Sequence, residues 1–503
     1  MHHQTQALRR VAGRLAAASA LAIATVVPAM PALAATDDAT APVVVETGEG
    51  PTGYGVTFRF DAPDANQVSL VGDVYFTQPG NLMLDFSHDA RLGDEWQEGD
   101  ISHPVFSQTP APMSKNADGV WELTTAMPSG RYNYGFVVGD CPLAFACSSS
   151  YDPANPPVFS DAEGASAQPY SQVFVPESSE FPTYGAGVQG PVVDPSQAGT
   201  VEHVLYESAH SLNPDGRHQL GVYLPAGYDA DRDEPYPLLV LSHGAYDNET
   251  SWFSQGGAQH ILDHAIADGA IPPAAVVTTH FNDLEPGGIT DPDLLETYSP
   301  ELIESVLPFV ESEHHVSTHP DERAFGGLSM GGGLGVNLLH KHPDLFAYFG
   351  LWSAAADLDG QTVVAPTAEQ LEGMETVTEI HVGAGLQDAL GGIGDKSVER
   401  ATLYAELGLP VTEHHIDGGH TWQVRRQELD HFLRTAAVSE VEAPQEQAAP
   451  SVSPSPAEAA DRDAPRAVGG DARGPADWVG MAAAILVSGA LVGAVAVRLR
   501  RKS

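Results

Sequence analysis

The chain has 503 residues, with 23 Lys and Arg against 67 Asp and Glu, and a formal net charge of −44. That excess of acid excludes a nucleic-acid binder, which needs basic surface against phosphates. With 42% hydrophobic and only 18% charged residues the middle of the chain is globular, and its length allows two or three domains.

Arg9, Arg10 and Arg14 precede an apolar run from Leu15 to Val27, and Ala32-Leu33-Ala34 has the form of a cleavage site. Residues 1–34 therefore read as a secretory signal, by the general or the twin-arginine route. From about 46 to 180 the pattern is one of short strands and turns. Gly55 to Phe60, Gln67 to Gly72, Gly119 to Thr124 and Arg131 to Val138 carry it, with Pro128-Ser129-Gly130 between the last two. Closely spaced strands of this kind predict an all-β sandwich. An acidic insert around 85–108 does not fit the sandwich pattern. Cys141 and Cys147 are the only cysteines. In an oxidising compartment they are expected to pair and close a short loop, a constraint of about 2 kcal/mol, with two free thiols as the alternative. So few sulfur ligands make a metal site a poor reading, and no cofactor is implied.

From about 198 to 438 the pattern changes. Pro237 to Ser242 and Ala274 to Thr279 are continuous apolar runs, with a helix predicted over 257–268 between them. A long helix is predicted over 294–313, a short strand over 323–327, a helix over 331–340, a strand over 378–383 and a helix over 397–407. Apolar strands alternating with helices predict a mostly parallel sheet covered on both faces. Residues 440–475 are rich in Pro, Ala, Ser and acid and read as a disordered stalk. Trp478 to Val497 is 20 residues without a charge, followed by Arg498, Arg500, Arg501 and Lys502. That combination predicts a single C-terminal transmembrane helix with residues 498–503 as a cytoplasmic tail, leaving the globular part extracytoplasmic and anchored to the cell membrane.

The chemistry centres on Gly327-Leu328-Ser329-Met330-Gly331, a G-x-S-x-G pentapeptide between a strand and a helix. A tight strand-to-helix turn exposes the serine hydroxyl and tolerates only small residues two positions either side. The Met330 N–H, at the helix start, is a candidate oxyanion donor. A serine hydroxyl needs a base. His420, in Asp417-Gly418-Gly419-His420-Thr421-Trp422, is a loop histidine shortly before the last helix. His314, His315, His414 and His415 read as surface or core residues. The carboxylate that orients the base is expected to be Asp388, just past the strand ending at Gly383, with Asp357, Asp359 and Asp395 as competitors. The order Ser329, Asp388, His420 is that of α/β-hydrolases. Ser242-His243-Gly244-Ala245 leaves the first apolar strand and offers Gly244 to the substrate and the Ala245 N–H as a second oxyanion donor; an ordinary strand-exit turn is the alternative.

At these residues the chain resembles the esterase family of α/β-hydrolases that includes feruloyl esterases, enterochelin esterases and mycolyltransferases. The resemblance spans about 198–438. It rests on Arg217 to Tyr228, His243-Gly244 with Ser251-Trp252, Gly327 to Gly332, Gly385 to Asp388, and His420 with Trp422. The N-terminal region is similar to the immunoglobulin-like early-set domain found before such esterases and in glycogen-branching enzymes, through Phe60 to Ala65, Asp118 to Trp121, Gly130 to Tyr134 and Asp152 to Pro156. Trp96, Trp121 and Tyr134 offer stacking faces for sugar, although core packing is the better reading.

The fold class expected is thus an α/β-hydrolase preceded by an immunoglobulin-like sandwich and followed by a transmembrane helix. The resemblance implies a serine carboxylic ester hydrolase acting through an acyl-enzyme on feruloyl or acetyl esters, with plant cell-wall polysaccharide esters as substrates. Trp252 and Trp422 are expected to line the acyl pocket. The alternatives are a siderophore esterase of the enterochelin type, a cell-wall acyltransferase and a non-catalytic glycan-binding protein. The oligomeric state is not legible.

Overall fold

A computed structural model describes residues 41–81, 90–181, 183, 185–291, 293–355 and 363–437. The expected signal (1–34), stalk (440–475), spanning segment (478–497) and tail lie outside these.

The N-terminal part consists of two antiparallel four-stranded sheets. In one, Tyr54–Asp61 pairs with Val43–Glu46 and with Val120–Ala126, and Ser114–Lys115 closes the edge. In the other, Gly130–Val138 runs between Ser171–Val175 and Val68–Gly72, with Ala111–Pro112 at the edge. Alternation along the first sheet points Val56 and Phe58 inward, onto Leu70, Tyr134 and Phe136 of the second. Phe58 and Tyr134 meet with ring centroids 4.9 Å apart. Burying each such ring stabilises the fold by about 1.5–3 kcal/mol. Trp121 and Tyr134 are core residues, Trp121 donating to the Ala62 carbonyl and Tyr134 to Asp152. The acidic insert becomes a small three-stranded sheet of Tyr75–Thr77, Arg91–Leu92 and Ile101–Ser102. Arg91 and Asp100 form an ion pair of 2.6 Å across it.

The second part is one eight-stranded sheet: β1 Thr200–Glu207, β2 Arg217–Leu224, β3 Leu238–Ser242, β4 Ala275–Thr279, β5 Arg323–Leu328, β6 Tyr348–Trp352, β7 Glu379–Gly385 and β8 Val411–Ile416. Its order is β1-β2-β4-β3-β5-β6-β7-β8. The first hairpin is antiparallel to its neighbours; from β4 to β8 every pairing is parallel. Every residue of β3, β4, β5 and β6 is buried, which is why β3 and β4 read as continuous apolar runs. Helices cover both faces: α1 Ala258–Ala267 and α4 Trp422–Thr435 on one, α2 Met330–Lys341 and α3 Ile393–Glu406 on the other. The predicted 294–313 helix is continuous in path but wound in three pieces, with a π-helical stretch Leu302–Val306 between Pro300 and Pro308. Each proline removes an N–H from the ladder.

The expectation of a membrane-spanning helix, and of a membrane anchor with it, is corrected. No helix among the described residues is long and apolar enough to cross a membrane. The longest α-helices, α3 and α4, have 14 residues each, about 21 Å against roughly 30 Å of hydrocarbon. The 294–313 run carries five glutamates.

Candidate active site

Ser329 sits between the end of β5 and the start of α2. Its backbone has φ 54° and ψ −115°, outside the regions that side-chain-bearing residues favour. Holding such a residue costs about 1–3 kcal/mol. The surroundings enforce it. Ser329 N–H donates to Trp352 O (2.8 Å), its carbonyl accepts from Ala355 N (2.9 Å), and Gly331 N–H donates to His243 O (3.0 Å). A Cβ at Gly327 would lie 2.2 Å from Gly331 O, and one at Gly331 would lie 2.5 Å from His243 O. Both pentapeptide glycines are therefore demanded by close backbone approach.

His420 and Asp388 come from two loops laced together. Beyond β7, Leu386 N–H donates to Ile416 O (2.7 Å) and Gln387 N–H to Gly418 O (2.9 Å). Gln387 returns the contact with its side chain, accepting from Gly418 N (2.7 Å) and donating to Asp417 (2.9 Å). This brings His420 Nδ1 to 2.7 Å from Asp388 Oδ2 and His420 Nε2 to 3.1 Å from Ser329 Oγ. An Nδ1–H held by the carboxylate leaves Nε2 as the acceptor facing the serine hydroxyl. Burial holds the His420 imidazole below its ordinary value, the Arg425 guanidinium adds to this, and Asp388 opposes both. Of the competing acids, Asp395 is exposed and Asp357 and Asp359 fall outside the described residues.

His243 is fully buried and stacked on Phe281, with centroids 3.9 Å apart. Burial pushes it down to about 3, so it is neutral. Its Nδ1 lies 2.7 Å from Gly244 O. The C=O and N–H of a trans peptide point in opposite directions. A Gly244 carbonyl held by the His243 ring therefore turns the Ala245 N–H away from that ring. Met330 is the first residue of α2, where N–H groups have no partner within the helix.

Ser329 and His420 open into a cavity of about 260 Å³. Gly244, Ala245 and Trp422 line it; Trp252 does not. Trp252 is instead 1% exposed, donates to Ser242 O (3.1 Å) and packs edge-on against Trp352 and Trp422. Three charged cavity residues escaped the sequence reading. Asp247 lies three residues past Gly244, and burial pushes it up to about 6. Arg425 lies three residues past Trp422 on the same helix face, its guanidinium 5.7 Å from the indole centre. Asp73 comes from the N-terminal sheets. The helical spacing after His420 was the available signal for Arg425; nothing local marked Asp73.

Away from the cavity, His381, His414 and His431 each bring a ring nitrogen within 4.8 Å of the others. The His414 and His431 rings stack in parallel, 3.9 Å apart and 6° from coplanar orientation. Their in-plane lone pairs run side by side rather than converging. Trp352 donates to His381 Nδ1 (2.9 Å), and His414 Nδ1 lies 3.1 Å from Glu428. A hydrogen-bonded cluster describes these residues better than a chelate does.

Residues 211–435 match the profile of the family described as "Putative esterase". That match spans most of the α/β part of the chain. Over 207 residues the chain is 37% identical to an endo-1,4-beta-xylanase/feruloyl esterase of Xylanibacter ruminicola, covering 40% of this chain and 26% of the relative. Over 164 residues it is 37% identical to endo-1,4-beta-xylanase Y of Acetivibrio thermocellus, covering 30% of this chain and 14% of the relative. The esterase domain thus answers to about a quarter or less of these proteins. Among solved structures, an enterobactin esterase from Shigella flexneri aligns with 79% of this chain and 96% of its own length at 16% identity, with a TM-score of 0.47.

Proposed function

We propose that the chain is a serine carboxylic ester hydrolase whose α/β domain, about 198–438, works beside a separate β domain at about 46–180. The observation that carries the reading is the unbroken contact series Ser329 Oγ, His420 Nε2, His420 Nδ1, Asp388 Oδ2. Ser329 attacks the ester carbonyl as His420 takes its proton. The oxyanion of the tetrahedral intermediate is held by the Met330 and Ala245 N–H groups. The intermediate collapses, the C–O bond to the alcohol breaks, and the leaving oxygen takes the proton from His420. Water, deprotonated by the same imidazole, then releases the acid and restores Ser329. Asp388 holds the ring in the required tautomer throughout.

The identity with an endo-1,4-beta-xylanase/feruloyl esterase favours aryl or acetyl esters of plant cell-wall sugars as substrates. The test is p-nitrophenyl acetate hydrolysis by the full chain beside Ser329→Ala. A loss of at least about 10³-fold is expected; equal rates end the proposal.

A further inference from the structure

The candidate active-site cavity is lined by two parts of the chain. Besides Ser329 and His420 it is lined by Val105, Phe106, Ala144, Phe145, Tyr170 and Asp73, all from the N-terminal sheets or their loops. These residues sit on braced turns. Val105–Ser107 is a short 3-10 turn at the end of the acidic insert, whose preceding strand is tied back by His103 N–H to Tyr75 O (2.9 Å). Ala144–Ala146 lies inside the loop closed by the Cys141–Cys147 disulfide. Ala144 N–H donates to Gln108 O (2.9 Å), which fastens one turn to the other.

This wall is fixed to the esterase domain by polar contacts. Buried Arg426, next to the cavity residue Arg425, donates to Arg131 O (2.6 Å), Gln255 O (2.5 Å) and Gly256 O (3.1 Å). Gln172 Nε2 donates to the same Gln255 carbonyl (2.6 Å), and Ser166 Oγ donates to Glu249 (2.9 Å).

We propose that this wall, together with Asp247 and Arg425, forms the subsite for the alcohol half of the ester, and that the alcohol is a neutral sugar. The inference rests on the ester-hydrolase reading above. The side follows from the chemistry: the leaving oxygen must receive its proton from His420, so the alcohol half lies along the loop and helix start that carry His420, Thr421, Trp422 and Arg425. The class follows from the lining. Phe106, Phe145, Tyr170 and Trp422 supply apolar faces for C–H surfaces, and Asp73, Asp247 and Arg425 supply acceptors and donors for hydroxyls.

Arg425 points the same way independently. It is 6% exposed, its Nε is buried without a hydrogen-bond partner, and among the described residues it forms no ion pair. A buried guanidinium N–H without an acceptor is costly until a ligand oxygen meets it. Asp73, Asp247 and Asp388 lie near enough to offset its charge, which favours a neutral hydroxyl over a second anion. At about 260 Å³ the cavity suits one sugar ring rather than a chain.

The experiment compares two esters of one acid, methyl ferulate and feruloyl arabinofuranose, on the full chain and on Phe106→Ala and Phe145→Ala. The ratio of kcat/KM for the sugar ester to that for the methyl ester is expected to fall by about tenfold in each variant, through KM. Free methyl arabinofuranoside is expected to inhibit wild-type methyl ferulate hydrolysis competitively, and less so in the variants. Melting temperatures report whether the variants fold, and the inhibition of wild type needs no variant at all. An unchanged ratio in folded variants, or no inhibition of wild type, overturns the subsite. If p-nitrophenyl acetate is still turned over in a Ser329-dependent way, the esterase reading survives that loss; if it is not, both fall.

Discussion

Asp388 Oδ2 lies 2.7 Å from His420 Nδ1, on the ring nitrogen opposite the one that faces Ser329. Asp388→Asn keeps the shape but allows the wrong tautomer to be held. It is expected to lower kcat by about 10³–10⁴-fold without changing the circular dichroism spectrum. A variant that keeps more than a tenth of wild-type kcat would show that the carboxylate does not orient the base.

Because burial and Arg425 both disfavour the imidazolium, His420 stays neutral to lower pH than an ordinary imidazole at about 6.5. In the proposed mechanism the neutral ring is the base, so kcat/KM is expected to rise with pH through a midpoint below that value. Arg425→Gln removes one of the two depressing influences and moves the midpoint upward. The pH profiles of the two proteins check this; a midpoint that does not move removes the electrostatic link.

His243 acts at one remove, through the Gly244–Ala245 peptide. His243→Phe keeps a ring against Phe281 and deletes the Nδ1–H that holds Gly244 O. The expected result is a kcat loss of about 10²-fold, the scale of one oxyanion donor, with KM little altered. Loss confined to KM counts against a positioning role.

A methyl group at Gly327 would lie 2.2 Å from Gly331 O, a backbone atom with no room to retreat. Gly327→Ala is expected to destabilise the protein by about 1–3 kcal/mol or more and to distort the turn that carries Ser329. Calorimetry and esterase rate are expected to fall together; an unperturbed melting temperature contradicts the steric argument.

Removing Arg426 takes a donor from three carbonyl oxygens, of which Gln255 O keeps Gln172. Arg426→Met is expected to cost about 3–5 kcal/mol and to separate the unfolding of the N-terminal sheets from that of the esterase domain. Differential scanning calorimetry reads this as a lowered or divided transition; a single unshifted peak argues against coupling through this residue.

The sheet interior was legible because β3 and the first half of β4 are apolar and the pentapeptide fixes where β5 ends. Four strands were not legible: β1 and β2 of the first hairpin, β6 and β8. β6 is five residues with a central Gly350, too short and too uniform to show a period, and β8 carries Thr412, Glu413, His414 and His415 on a half-exposed edge. The histidine and carboxylate partners of Ser329 could be named because each follows a strand end on a Gly-rich loop. Trp252 could not be placed, since an indole in a helix after an active-site loop serves core and pocket equally well in sequence terms. The cavity wall was invisible for a plainer reason: Phe106 and Phe145 lie more than 180 residues from Ser329, and no local pattern reports which loop a folded domain leans over its neighbour.

Arg426 grips main-chain oxygens at positions 131, 255 and 256, and a carbonyl is the same whichever residue bears it. At this residue the joint between the two parts of the molecule therefore depends on a backbone path rather than on the side chains that line it. A foreign sandwich grafted onto this α/β domain would have to deliver one main-chain oxygen to that place.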